Sequence, residues 1–309
     1  MKKIFLVILV VLVALGLLGK YSYDFAVYRV LPYSAIRPHR LSGLEKKLFF
    51  PYATDLSKLD LQIEPFDVRV EDSIMLKGYF IRAITHDPLG TIILLHGIAS
   101  CKEAMLPFAD TLSHHGYNCI VYDSRANGES GGINCTFGYY EKHDVSTYID
   151  QAYNRFSKVG PIGIFGSSMG AAVAIQAMAI DRRISCGIVE SPFSTMREVI
   201  YQFWKEMFFL PIRSIPNKAL AISEQIAHFK VDSVSPEQSA RLISQPVMVV
   251  HGDRDEKIPA DESKSVFDCL ESPQKEWFSI AGGHHNDLSH VGGSSYLNAE
   301  LDFFRTHLK

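Results

Sequence analysis

The chain has 309 residues, enough for one large domain with a small appendage, because single hydrophobic cores stop growing near ~250–300 residues. Hydrophobic residues make up 47% and charged residues 21%, a composition that excludes a disordered chain and a polytopic membrane protein. The net charge is −3, and the scattered lysines and arginines lack the basic footprint of a nucleic-acid-binding protein.

The chain begins with an apolar segment. Lys2 and Lys3 precede a run from Ile4 to Gly19 without a polar side chain, about 16 residues against the ~17–25 of a spanning helix. No A-x-A cleavage pattern follows, so residues 1–20 predict an N-terminal membrane anchor, with a signal segment as the alternative. The positive-inside rule then puts the rest of the chain on the non-cytoplasmic side, periplasmic or extracellular in a bacterium, or secreted after cleavage.

Composition divides the rest of the chain. Residues 21–65 are mixed and rich in proline, with a helical stretch around Leu41 to Phe50, and are predicted to be a linker and helical lead-in. Asp67 to Val70 and Leu76 to Ile84 predict a hairpin at a sheet edge. Aromatic residues and two prolines interrupt the pattern in 194–242, which is predicted to be a helical lid between two parts of one core, 66–193 and 243–309.

Short apolar runs alternate with longer amphipathic stretches in that core. The apolar runs predict buried strands at Thr91–Leu95, Asn118–Tyr122, Ile162–Phe165, Cys186–Glu190, Val247–Val250 and Lys275–Ile280. The amphipathic stretches predict helices near Lys102–His115, Tyr139–Phe156, Met169–Ile180, Ala260–Leu270 and Ser294–Leu308. This alternation indicates an α/β fold with a mostly parallel central sheet and helices on both faces.

The five cysteines are odd in number, widely spaced and without a C-x-x-C pair, so no zinc or redox motif is predicted. We expect buried apolar thiols. A disulfide between Cys101 and Cys135 is the alternative in an oxidising compartment.

The strongest motif is Gly-Ser-Ser-Met-Gly at 166–170, between a predicted strand and a predicted helix. Glycines on both sides permit the sharp strand-to-helix turn that holds a serine hydroxyl above a sheet. Ser168 is therefore the candidate nucleophile. A serine hydroxyl needs a base oriented by a carboxylate, which the rest of the chain must supply.

Two later loops, each after a predicted strand, carry candidates for these partners. Asp253 and Asp255 follow the strand that ends at Val250, and His284 and His285 follow the strand that ends at Ile280. The carboxyl ends of strands are where α/β sheets place their sites. The residue types alone leave either aspartate and either histidine open.

Taken in order, these motifs resemble the α/β-hydrolase superfamily over roughly residues 66–308, in particular its membrane-tethered members related to prolyl-oligopeptidase-like and monoacyl-lipid hydrolases. The resemblance rests on His96-Gly97, the loop Asp123 to Ser130, the Ser168 turn, the run His251 to Asp255 with Ile258-Pro259, and His285-Asn286-Asp287. Relatives usually have glycine where Ala126 stands, so we expect a differently shaped turn there.

The resemblance implies the roles of individual residues. It selects Asp255 as the acid and His285 as the base, with Asp253 and His284 as alternatives, and backbone N–H groups of Ile98 and Met169 as the oxyanion hole. It implies no metal or organic cofactor.

The expected function is hydrolysis of an apolar or lipid-like carboxylic ester through an acyl-enzyme. The expected partners are a small acyl substrate and a membrane bound by the N-terminal segment, with no nucleic acid. A serine peptidase, a thioesterase or a non-catalytic binding protein of this fold are the alternatives.

Overall fold

The computed structural model describes residues 15–50, 59–70 and 73–309. The strands are Gln62–Pro65 (β1), Val68–Arg69 (β2), Met75–Leu76 (β3), Gly78–Arg82 (β4), Gly90–Leu95 (β5), Tyr117–Tyr122 (β6), Ile162–Ser167 (β7), Ile184–Glu190 (β8), Val247–Gly252 (β9) and Lys275–Ile280 (β10). The α-helices are Leu31–Ile36 (α1), Gly43–Phe49 (α2), Leu106–His114 (α3), Glu141–Arg155 (α4), Met169–Ile180 (α5), Met196–Phe208 (α6), Ser214–Ala227 (α7), Pro236–Ala240 (α8), Ala260–Cys269 (α9) and Leu288–His307 (α10).

Eight of these strands form one sheet in the order β1-β4-β6-β5-β7-β8-β9-β10. The pairs from β6 to β10 are parallel, and β4 is antiparallel to both of its neighbours. The mostly parallel sheet is therefore confirmed. The carboxyl ends of β5, β7, β8, β9 and β10 meet at one edge, where their following loops converge.

Two apolar cores cover the two faces of the sheet. Ile93 and Leu95 of β5 point into one core, and Ile92 and Leu94 point into the other. Successive side chains of a strand alternate between faces, so a strand buried on both sides needs apolar residues at every position. This requirement explains the continuous apolar runs in the sequence.

The edge of the sheet differs from the prediction. Strand β1 pairs antiparallel with β4 at this edge, with Gln62 opposite Arg82, whereas β2 and β3, which lie within the predicted hairpin, form a separate two-stranded sheet. Strand β1 is half exposed and ends at Pro65, so it lacks the apolar run that marks an interior strand. The sequence consequently placed it in the linker of residues 21–65.

Helices α1 and α2 precede the sheet, and α6, α7 and α8 lie within residues 194–242. Helix α2, in the expected helical stretch, begins with a capping box between Ser42 and Glu45. Helix α7 packs against the N-terminal segment, where the Ser223 hydroxyl donates to the carbonyl of Pro32 at 2.8 Å. The lid role of 194–242 stays a prediction.

Most of the apolar N-terminal run lies outside the described residues. Within the ranges that the structure describes, no helix combines the length and the apolar character needed to cross a bilayer.

All five cysteines are free thiols, and four of them are buried. The alternative disulfide between Cys101 and Cys135 does not form.

Substitution of Gly170 by alanine should destabilise the fold. An added Cβ would lie 2.2 Å from the carbonyl oxygen of Leu95, so backbone would have to move, at a cost of about 1–3 kcal/mol. Gly43→Ala is the matched control, because a Cβ there meets no atom within 4 Å. Thermal unfolding should show a lower Tm for G170A alone; equal Tm values would contradict the close packing.

Candidate active site

Ser168 occupies a strained turn between β7 and α5. Its φ of 55° and ψ of −114° lie outside the regions that L-residues favour, which costs on the order of 1–3 kcal/mol. Its N–H donates to the carbonyl of Glu190 at the end of β8, at 2.8 Å. The turn is thus fixed to the neighbouring strand, and the serine side chain is held at the carboxyl edge of the sheet.

The structure brings His285 and Asp255 to this serine. His285 follows β10, and its Nε2 lies 3.0 Å from Ser168 Oγ. Asp255 follows β9, and its Oδ2 lies 2.7 Å from His285 Nδ1. Its other oxygen accepts the N–H groups of Lys257 and Ile258, both at 2.9 Å. Three residues distant in sequence thus form one hydrogen-bonded chain.

The surroundings of Asp255 favour its ionised form. The carboxyl group is fully buried, which opposes ionisation, yet the hydrogen bond from His285 and the charge of a protonated His285 hold the pKa of Asp255 below its ordinary value. The carboxylate therefore accepts the Nδ1 proton of His285. This tautomer leaves Nε2 free to accept a proton from Ser168 Oγ.

The two alternative residues make other contacts. Asp253 accepts the N–H of Gly282 at 2.6 Å, and His284 Nδ1 lies 3.0 Å from Glu256 Oε2, with about half of the His284 side chain exposed. Asp253 and His284 therefore take no part in the hydrogen bonds that link Asp255, His285 and Ser168.

The backbone N–H groups of Ile98 and Met169 lie on segments adjoining the serine. Met169 is the first residue of α5. Ile98 follows Gly97, and a Cβ added to Gly97 would lie 3.6 Å from Ser168 Cβ. Within the described residues neither N–H has a hydrogen-bond acceptor. The N-terminal end of a helix also favours negative charge. Both donors are thus available to a substrate oxygen.

His96 supports the loop that carries Ile98. It is fully buried and accepts the N–H of Ser124 at Nε2, 3.0 Å away, so its Nδ1 donates to the carbonyl of Gly97 at 2.7 Å. Burial lowers the pKa of His96, in keeping with this neutral tautomer. In the adjoining turn Ala126 has a φ of 60°, a left-handed conformation that glycine adopts at less cost than alanine.

A cavity of about 1060 Å³ opens beside Ser168. Its wall is mainly apolar: Leu41, Phe49, Phe50, Ile98, Met105, Phe108, Phe165, Phe203, Leu288 and Leu297. The volume and the apolar lining suit a small organic ligand or an acyl chain.

The cavity wall also contains a buried pair of carboxyl groups, Glu190 and Glu300, which was not assigned a role from the sequence. Tyr296 donates its hydroxyl to Glu190 at 2.9 Å and also hydrogen-bonds Glu300. Burial raises the pKa of both carboxyl groups, and for Glu300 the charge of Glu190 raises it further. The one available signal was the position of Glu190 at the carboxyl end of a buried strand.

His251 was not assigned a role from the sequence either. It is buried behind Asp255, with its Nε2 4.0 Å from Asp255 Oδ2. The Ser263 hydroxyl donates to the carbonyl of Pro192, so it accepts the Nδ1 proton of His251 at 2.9 Å. Burial lowers the pKa of His251, which keeps a neutral ring against the carboxylate.

The sheet order, the serine turn and the loops after β9 and β10 together define the α/β-hydrolase fold. Residues 86–233 match the family described as serine aminopeptidase, S33. An esterase of Pyrococcus furiosus has the same fold with a TM-score of 0.71 and 24% identity, over 89% of this chain and 98% of that one.

Two curated relatives extend this similarity. The uncharacterized protein YqkD of Bacillus subtilis is 27% identical over 213 residues, 68% of each chain. A polyketide transferase of Penicillium is 25% identical over 281 residues, 77% of this chain and 94% of that one. The chain therefore has the α/β-hydrolase fold and is similar to serine hydrolases of that fold.

Replacing Glu300 by glutamine should remove a pH-dependent loss of stability. The folded pKa of Glu300 is raised above the unfolded value of about 4.3, so its contribution is fully present below that value and is lost as pH rises through the folded pKa. The denaturation midpoint of E300Q should therefore fall less than that of the parent protein between about pH 4 and pH 8. Glu271→Gln is the control, because Glu271 is exposed. If the denaturation midpoints of E300Q and the parent protein changed with pH in parallel, the buried carboxyl group would not be the cause.

Proposed function

We propose that this protein hydrolyses carboxylic esters with an apolar acyl group, through a Ser168-His285-Asp255 triad and an acyl-enzyme intermediate. The observation that carries the proposal is the hydrogen-bonded chain of these three residues beside a large, mainly apolar cavity. An esterase of Pyrococcus furiosus has the same fold, which supports the proposal.

The geometry suggests a two-step reaction. His285 accepts the proton of the Ser168 hydroxyl as the oxygen attacks the ester carbonyl, and Asp255 stabilises the resulting imidazolium. The alcohol leaves with the proton from His285. A water molecule then attacks the acyl-enzyme with His285 again as the base, which releases the acid and restores the serine.

The N–H groups of Ile98 and Met169 would stabilise the oxyanion in both steps. Loss of one such donor typically costs ~10²–10³ in rate. Because both donors belong to the backbone, substitution of either side chain leaves them in place.

An amine-bearing substrate is the second candidate. The matching family is described as an aminopeptidase, whose substrates carry a free ammonium group, and Glu190 and Glu300 put carboxyl groups in the cavity wall. A substrate ammonium against Glu190 would form a charge-assisted hydrogen bond. Thioesters remain a third substrate class for the same triad.

We also propose that residues 1–20 anchor the protein, with its catalytic domain on the non-cytoplasmic side. The support is the apolar run after two lysines. Membrane fractionation together with the mass of the mature chain tests this proposal, and a soluble chain shortened at its N-terminus would indicate a cleaved signal.

A fluorophosphonate probe should label the protein at Ser168, because only an activated serine reacts. The Ser168→Ala variant should stay unlabelled. His285→Ala and Asp255→Asn should each lower kcat for a p-nitrophenyl ester by about 10⁴-fold, since each interrupts proton transfer from the serine.

Adjacent residues provide matched controls for these variants. His284→Ala and Asp253→Asn alter the same residue types in the same loops, and we expect less than about tenfold loss from either. An equal loss in H284A and H285A, or labelling of S168A, would refute the assignment.

A panel of p-nitrophenyl esters should show kcat/KM rising from acetate to medium acyl chains, because each buried CH₂ contributes about 0.8 kcal/mol. Amino-acid p-nitroanilides belong in the same panel. Faster turnover of the anilides than of every neutral ester would favour the peptidase.

A further inference from the structure

An exposed apolar segment, called the turn below, comprises the last two residues of α6 and the four residues that follow it on the way to α7. Residues 207–212 have the sequence Met-Phe-Phe-Leu-Pro-Ile, all six are exposed, and the side chain of Phe209 is 87% exposed. The surface of a soluble domain seldom presents a contiguous apolar group of this kind unless it meets a partner or a membrane.

Hydrogen bonds hold this turn in place. Trp204 Nε1 donates to the carbonyl of Leu210 at 2.9 Å, and Arg213 donates two hydrogen bonds to Glu198 at 2.6 and 2.9 Å. Phe209 itself has a left-handed φ of 54°, which a bulky residue adopts at a cost. The fold therefore presents these apolar side chains outward in a defined conformation.

The N-terminal helical segment, residues 15–36 with α1 as its last part, leads to the end of α7 that lies next to the turn. Lys218 Nζ lies 4.5 Å from the ring of Tyr28, and Ser223 bonds Pro32 further along, so the segment and α7 run in the same direction. At 1.5 Å per residue, the helix extends roughly 20 Å back from Tyr28 to Leu15, whereas α7 extends only about 6 Å back from Lys218 to its start. The first described residues thus pass the point where the turn joins α7.

The side chains on this extension are also apolar and exposed. They are Leu15, Leu17, Leu18 and Tyr21. The sequence that precedes Leu15 is also apolar, back to Ile4. Aromatic rings such as that of Tyr21 favour the boundary between lipid and water.

We propose that residues 207–212 and the exposed side chains of residues 15–21 form one membrane-binding surface that rests on a lipid bilayer, with the turn inserted at the interface. Residues 207–212 carry no charged side chain, which suits the acyl boundary, and the exposed Lys20 of the N-terminal part would meet lipid headgroups. Lys205 and Arg213 flank the turn, where they would meet lipid headgroups.

This surface adjoins the cavity through helix α6. Phe203 and Glu206 line the cavity, and the turn begins at the next residue, Met207. If the proposed esterase function holds, an ester dissolved in the bilayer enters the cavity along α6 and reaches Ser168 without crossing bulk water. The lipid phase is then the source of the substrate.

The test uses the full chain with Trp277→Phe, which leaves Trp204 as the only tryptophan of the two in the sequence. Vesicles of equal parts phosphatidylcholine and phosphatidylglycerol with brominated acyl chains should quench Trp204 emission. The double variant F209D/L210D should lose this quenching. It should also hydrolyse a vesicle-borne ester about tenfold more slowly, with p-nitrophenyl acetate turnover unchanged.

Leu242→Asp is the matched control. Leu242 is exposed and apolar, but it lies near the amino end of β9, at the opposite edge of the sheet from Ser168. This variant should behave as the parent protein does in every assay.

Other outcomes would overturn the proposal. Equal quenching in the parent and the double variant, or none in the parent, excludes insertion of the turn. A lipid-free dimer that F209D/L210D dissociates would identify the surface as an interface between copies. Absence of p-nitrophenyl acetate hydrolysis by the parent would refute the proposed function alone, because the quenching result does not depend on turnover.

Discussion

The site depends on the close approach of three backbone segments beneath Ser168: the ends of β5 and β7 and the start of α5. Gly166 and Gly170 leave no room for a side chain, since a Cβ on either would lie about 2 Å from a carbonyl oxygen of the neighbouring backbone. Strand β7 can therefore turn directly into α5 with the serine at the apex. Strands β8, β9 and β10 follow in order across the sheet, so the loops after β9 and β10 bring a carboxylate and an imidazole within reach of that apex.

The same edge of the sheet holds buried carboxyl groups whose pKa values are shifted in opposite directions. Asp255 is fully buried, yet two backbone N–H groups and His285 stabilise its charge, and its pKa is lowered. Burial raises the pKa values of Glu190 and Glu300, although the hydrogen bonds of Tyr296 oppose the rise, and the charge of Glu190 raises the pKa of Glu300 further. Burial opposes ionisation at all three carboxyl groups; the backbone N–H groups and His285 outweigh it at Asp255, whereas hydroxyl groups do not outweigh it at Glu190 and Glu300.

The sequence predicted the features that depend on local pattern. Interior strands were recognisable because burial on both faces requires continuous apolar residues, and Ser168 because its turn needs glycines at fixed positions. Spacing alone left Asp253 or Asp255 and His284 or His285 open, since adjacent loop residues differ only in direction; the resemblance selected the pair that the structure joins to Ser168. The edge strand β1 and the Glu190-Tyr296-Glu300 cluster were missed because an exposed strand has no apolar run, and because the cluster forms only when α10 packs beside β8.

Helix α6 links the chemistry of the cavity to the surface of the molecule. Its residues Phe203 and Glu206 face the cavity, while Met207 to Ile212 extend the same helix into an apolar turn that hydrogen bonds fix in place. A turn that served only to connect α6 and α7 would be free to use polar residues, which lower the cost of exposure to water and require no left-handed phenylalanine. Apolar residues at all six positions, together with the left-handed backbone at Phe209, are the features expected of the membrane-binding segment that we propose.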